Sequence, residues 1–272
     1  MLWWKAWRES RGRFLSAAIV LAAFCLSAVN RARIDFPPLY EPGLPYSTFI
    51  WRGIYNGPNV IVFVIVCVAL GLGGLMRERA VGTAPFTLAL PVSRAALFLS
   101  RAGVGTLQVA ALATIPAWIV PWMSSRVGHP YPASQAWLFA GLFAAVGLVW
   151  FTAGLLMSTA FAGEHTPTAG GLLLPFGHLA VVSIPALRPM HWLNLFNVMN
   201  GSGLRYLDPD TSLLVGPFPA AILGAVLVVA LAMLAAAAML TARADYYIGA
   251  EPRAPSPSPE SRVPSLTNHL HL

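Results

Sequence analysis

Charge is what this sequence has least of. Of its 272 residues only 17 are basic and 10 acidic, 10% of the chain, whereas 57% are hydrophobic and the mean hydropathy is +0.67. An ordinary soluble domain carries about 25% charged residues, so this composition excludes a water-exposed globular surface and points to an integral membrane protein. Cysteine is scarce too. Cys25 and Cys67 both fall inside apolar runs, where they read as small apolar residues and not as redox or metal groups. Enzyme signatures are missing. Without G-x-x-x-x-G-K-[ST] the chain cannot cradle a nucleotide by that route, and without H-E-x-x-H or G-x-S-x-G the commonest metalloprotease and serine-hydrolase readings fall away. His129, His269 and His271 have no metal-ligand spacing. The chain is therefore read as no enzyme, with no catalytic, cofactor-binding or metal-binding residue of its own.

What the sequence does have is long apolar runs. A helix needs roughly 20 predominantly apolar residues to cross about 30 Å of hydrocarbon. Six candidates emerge: Phe14 to Val29, Val60 to Met76, Ala95 to Met123, Ala136 to Ala162, Ala169 to Leu187 and Val215 to Leu240. The first has the basic flank of a signal peptide, but no A-x-A-like site precedes a globular domain, so it reads as a retained span. A net charge of +7 would suggest nucleic acid in a soluble protein. In a polytopic one the distribution of bases decides instead, and no nucleic-acid partner is inferred. Placing both termini in the cytoplasm leaves only Arg31, Arg33, Arg52, Arg126, Arg188 and Arg205 outside, six of the 17 bases, which favours that orientation.

The flanks divide the chain into residues 1–13, a six-span domain over 14–248 and a tail over 249–272. The opening MLWWKAWRESRGRF places Trp3, Trp7 and Phe14 on one helical face with Lys5, Arg8 and Glu9 opposite. That pattern predicts an interfacial helix whose tryptophans sit at headgroup level and whose bases, Arg8 and Arg11 among them, meet anionic membrane lipid. Asn30 to Asn59, with five prolines, is expected to hold little regular structure. The inner turn Gly163 to Thr168 leads to Pro167 in the first turn of the next helix. Arg188 to Leu214, broken by Asn-Gly-Ser-Gly and Asp-Pro-Asp, suits short helices dipping into the outer interface. The tail, rich in proline and serine, is expected to be disordered. His178 is the one ionisable side chain deep in a run; with no acidic neighbour it reads as a neutral histidine bonded to a neighbouring helix rather than a proton relay or haem ligand.

One inner connection carries more than its length requires. Neighbouring helices need only about 2 to 8 joining residues, yet RERAVGTAPFTLALPVSR, Arg77 to Arg94, holds charges, a glycine and two prolines. Arg77-Glu78-Arg79 would carry the second span into water, and Gly82 would let the chain reverse. Thr83 can cap a short helix whose Phe86, Leu88 and Leu90 offer an apolar surface; Pro91 ends it, and Ser93 caps the third span, where Arg94 and Arg101 can reach the headgroups.

The string E-R-A-x-G-T-x-x-F-T-L-x-L-P-V-S-R from Glu78 to Arg94 closely resembles the segment between the second and third spans of ABC-2 type transporter permeases. W-W-K-A-W-R-E-S-R-x-R-F resembles their N-terminal connecting helix, and the six-span layout with an outer segment before the last span fits the same family over residues 1 to 248. The resemblance implies an all-α permease subunit of an ATP-driven exporter, paired with a second permease and with separate ATPase subunits that bind ATP and Mg. It further implies a coupling helix, here Arg77, Glu78, Gly82, Thr83, Phe86, Leu90, Pro91 and Arg94, that docks on the ATPase, and reentrant helices between spans five and six. The location implied is the plasma or inner cell membrane. A non-transport scaffold or signalling subunit docked on an ATPase would use the same loop.

Overall fold

In a computed structural model, the structure describes residues 2–35, 43–72, 93–161, 166–187, 190, 193–202, 206–216 and 219–243. Residues 243–272 form a unit of their own, of which only Arg243 is described. The rest is an all-helical bundle. Its elements are α1 (Leu2–Asp35), α2 (Tyr46–Ile50), a π-helical turn (Trp51–Tyr55), α3 (Pro58–Gly71), α4 (Arg94–Val127), α5 (Ala133–Ala160), α6 (Thr166–Val182), a 3-10 turn (Pro185–Leu187), α7 (Leu195–Met199) and α8 (Ala220–Arg243).

Among the described residues, five helical stretches are long and apolar enough to cross a membrane: Leu2–Ala32, Tyr46–Gly71, Arg94–Val127, Ala133–Ala160 and Ala220–Arg243. The fifth expected span, Ala169 to Leu187, is a shorter helix of 17 residues followed by a 3-10 turn. At 1.5 Å per residue it covers about 25 Å, less than the hydrocarbon thickness.

Helix α5 is the centre. Gly147 lies against Phe63 and Val109, Gly154 against the Val68 backbone, and Gly71 against the backbone of Phe151 and Leu155. A Cβ at Gly71 or Gly154 would collide with main-chain atoms, so these glycines permit the close α3–α5 approach. Tyr55 stacks on Phe139 with centroids 4.1 Å apart, and Phe63 tilts against Phe143 at 5.2 Å. The outer faces of α1 and α8 stay exposed and apolar, as lipid-facing helices require, with Ile19, Val228 and Leu231 each more than three-fifths exposed.

Three sequence expectations change. The segment 2–13 is not a separate helix: α1 runs unbroken through it and the first span for 34 residues. No proline, and only Gly12, interrupts residues 2–35, so nothing local ends the helix. The loop expected over Asn30 to Asn59 is helical from Tyr46 to Tyr55. Its prolines fall at 37, 38, 42, 45 and 58, which leaves the stretch between Pro45 and Pro58 free to wind, and burial of Ile50, Ile54 and Tyr55 holds it. Among the described residues, the segment before the last span contains one five-residue helix, α7, and then a hairpin-like turn with Asp208 N–H donating to the Leu213 carbonyl and Val215 N–H to that of Tyr206. Asn200, Gly201 and Ser202 end α7, and the Asp-Pro-Asp that reads as a helix break forms the tip of the turn.

Other expectations match. Pro167 occupies the first turn of α6, and the Ser93 hydroxyl accepts from Ala96 N–H at the start of α4. Helix α4 keeps Pro116 and Pro121 in its interior.

Candidate functional site

The start of α1, the end of α3 and the start of α4 meet at one end of the bundle, and there they form a polar junction. Alternating connections bring the end of α5 and the start of α6 to the same end. Helix α8 sets out from the opposite end, because the Leu214 backbone is held by Gln135 near the start of α5.

Within the junction, side chains of α1 reach inward. Arg13 Nη1 donates to the carbonyls of Ala69 at 2.6 Å and Leu72 at 2.5 Å, 56 and 59 residues away in sequence. The last carbonyls of a helix lack intrahelical donors and carry the negative end of its dipole, so a guanidinium there satisfies both hydrogen bonding and charge. Four residues earlier on the same face, Glu9 accepts from Arg101 Nη2 at 2.5 Å, and Lys5 lies 3.6 Å from the same carboxylate. Gln108 Nε2 donates to Ser10 Oγ at 2.8 Å. The Gln108 side chain is buried, and with Glu9, Ser10, Arg13 and Arg101 it lines a cavity of about 30 Å³, enough for a water molecule. Trp3 lies across Gly103, where any Cβ would meet the indole.

Of the residues singled out from the sequence, Arg77, Glu78, Gly82, Thr83, Phe86, Leu90 and Pro91 lie outside the described residues, as does the tail 249–272. Arg94 is the first residue of α4 and exposed. Trp3 is 54% exposed, Trp7 tilts against Phe14 with centroids 5.5 Å apart, and Arg8 and Arg11 are exposed. The aromatic face is thus present, and Glu9, although exposed, pairs with Arg101 of α4 and is not simply solvated. Sequence reasoning missed Glu9, Ser10, Arg13 and Gln108 as a group. The available signal was the spacing of Lys5, Glu9 and Arg13, one stripe at i, i+4, i+8, together with a lone glutamine in an apolar run.

The opposite end is braced between elements by uncharged side chains, although it also carries charged residues such as Arg52, Arg126 and Asp208. Gln135 both donates to the Leu214 carbonyl at 3.0 Å and accepts its N–H at 2.9 Å. Trp51 Nε1 donates to the Asn200 carbonyl at 2.8 Å, Asn200 Nδ2 to Asn56 Oδ1 at 2.6 Å, and Ser47 Oγ to the Thr211 carbonyl at 2.5 Å. The turn Tyr206 to Val215 is closed by Asp208, whose carboxylate accepts from the Thr211 hydroxyl at 2.7 Å and the Asp210 N–H at 3.0 Å. Those bonds, the hydroxyl first, hold the Asp208 carboxyl below its ordinary value of 3.8.

His178 behaves as its surroundings required. Its Nε2 accepts the N–H of Leu195 at the start of α7 at 3.2 Å, so the ring is neutral at this nitrogen and bonded to a neighbouring helix. Trp150 of α5 and Phe196 of α7 flank it at 5.3 and 6.2 Å between centroids.

These features are those of a multi-pass membrane protein with several long apolar helices. No family model, curated protein or solved structure matches the chain.

Proposed function

We propose that this chain is the permease subunit of an ATP-driven exporter of the ABC-2 type, working with a second permease and with ATPase subunits that bind ATP and Mg. The observation that carries this reading is the Glu78 to Arg94 string, which joins two long apolar helices whose facing ends, Leu72 and Ser93, lie at the same end of the bundle as the start of α1. A docking segment in that position would meet an ATPase on the cytoplasmic side, and its movement would pass into α3 and α4. Both termini would then be cytoplasmic, in a plasma or inner cell membrane.

Two further observations support it. Phe196 of α7 packs on Trp150 at 5.8 Å, and Trp150 lies about 25 Å along α5 from its first residue at 1.5 Å per residue. A short helix buried that far along a spanning helix is what a reentrant element needs. The fifth of six crossings would then be completed by α6 together with the segment that contains α7. Secondly, Arg8, Arg11, Arg94 and Arg101 gather at one end, as a cytoplasmic end requires.

Purification of the tagged chain from its own membranes tests the proposal. An ATP-binding subunit should come with it, and Glu78→Gln or Phe86→Ala should reduce that recovery while leaving permease abundance near normal. Recovery of the parent chain without any ATP-binding subunit would end this reading. Retention of the ATPase without ATP-dependent movement of any solute in proteoliposomes would instead favour a scaffold or signalling subunit.

A further inference from the structure

We propose that Arg13, with the Glu9–Arg101 pair, makes the first four turns of α1 a strut that ties the end of α3 to the start of α4, so that these two helix ends are displaced together with α1. The inference rests on the functional reading above, because it assigns the strut to transmitting movement from a docked ATPase; its geometry stands without that reading. Three tethers converge from one face of α1. Arg13 holds the carbonyls of Ala69 and Leu72 on α3, Glu9 holds Arg101 on α4, and Ser10 receives Gln108 one to two turns further along α4. Trp3 seated over Gly103 adds an apolar contact to the same pair of helices.

Direct bonding between α3 and α4 at this end is not needed for the coupling, since α1 bridges both. The two tethers differ in kind. Arg13 binds backbone, so no side-chain exchange on α3 can replace it, and its charge is fixed at any accessible pH. The Glu9–Arg101 bond joins two side chains, each about a third exposed or less, and can be rebuilt with the charges exchanged. Arg13 and Glu9 are therefore positioning residues: they act through the helix ends they hold, not on a transported solute.

The test has two arms. In the isolated chain, amide exchange over residues 66–72 should rise about tenfold in Arg13→Ala, from the loss of charge-assisted bonds to the last turn of α3, and stay at the parent rate in Arg8→Ala. Arg13→Lys should recover part of that protection, because an ammonium retains the charge and three donors. The second arm uses the chain with its co-purified ATPase in a background lacking Cys25 and Cys67, carrying a single cysteine at Ser125 at the far end of α4. ATP with vanadate should change the labelling rate at Ser125 in the parent. Arg13→Ala should keep the ATPase bound but lose that response, Glu9→Arg should weaken it, and Glu9→Arg with Arg101→Glu should restore it. Unchanged exchange in Arg13→Ala, or a full vanadate response in that variant, overturns the strut while leaving the permease reading intact. A parent chain that recruits no ATPase overturns the functional reading and this assignment with it.

Discussion

The two ends of the bundle solve the same problem with different chemistry. At one end, charged side chains of α1 cap and brace helix termini: Arg13 on α3 and Glu9 on Arg101 of α4. At the other, neutral groups make the bonds: Gln135 binds the Leu214 backbone, Ser47 the Thr211 carbonyl and Trp51 the Asn200 carbonyl, and the Asn56 side chain accepts from that of Asn200. A bond to a charged group contributes roughly 1.5 to 3 kcal/mol, a neutral one about 0.5 to 1.5. The charged end can thus fix three long helices with few contacts, whereas the neutral end needs many to seat one irregular segment. Sequence chemistry follows this division in part: Lys5, Arg8, Arg11, Arg13, Arg94 and Arg101 cluster at the beginnings of α1 and α4, while asparagine, glutamine and serine recur near Ser47, Asn56, Gln135 and Asn200.

The comparison can be broken at either end. Arg13→Ala should give the largest loss, about 2 to 3 kcal/mol of unfolding free energy in mild detergent, because two carbonyls of α3 lose a cationic donor. Gln135→Ala should lose about 1 to 2 kcal/mol, since both bonds to Leu214 are neutral, and should raise cysteine reactivity within the Tyr206 to Val215 turn. Thermal unfolding of both variants ranks them, and a greater loss for Gln135→Ala would reverse the assignment of strength. Glu9→Gln should cost less than about 1 kcal/mol, because the pair with Arg101 is partly exposed, and its effect should shrink in high salt. A salt-independent loss would mean that packing, not charge, is what Glu9 supplies.

The smallest effect concerns pH. At the neutral end, the turn Tyr206 to Val215 is closed by a carboxylate, Asp208, and so responds to acid. The folded pKa of Asp208 is depressed, so the stability it lends is present in full above its unfolded value near 3.8 and is lost as pH falls through the lower folded value. The Thr211 amide shift, followed by NMR from pH 6 to pH 2, should report this loosening in the parent and stay flat in Asp208→Asn. Loosening that begins well above pH 4 in the parent would contradict the depressed value.

Apolar run length made the long helices legible, and local chemistry made the Ser93 cap, Pro167 and the neutral role of His178 legible. Partnership between distant helices was not. Glu9 and Arg13 read as solvated flanks because hydropathy reports how polar a position is and not which neighbour stands opposite it. The same limit hid Gln108, which is polar enough to interrupt a run but too weakly so to mark a contact. Helix extent failed where proline count stood in for proline position, as between Pro45 and Pro58. The coupling segment, whose motif carries the functional proposal, was legible only by resemblance.

Helix α4 is held differently along its length. Pro116 and Pro121 provide no N–H, which leaves the carbonyls of Leu112 and Ala117 without their helical donors, and both residues are buried. The half of α4 that carries Arg101 and Gln108 has a complete ladder and is bound to α1, while the half that ends at Val127 begins at two successive interruptions. In mechanical terms the two prolines give α4 a place to bend between its braced half and the half that ends at Val127. A small rotation imposed at Arg101 can then emerge near Tyr46 and Ser124 as a change of direction rather than a translation, and the place where direction changes is set by the two prolines.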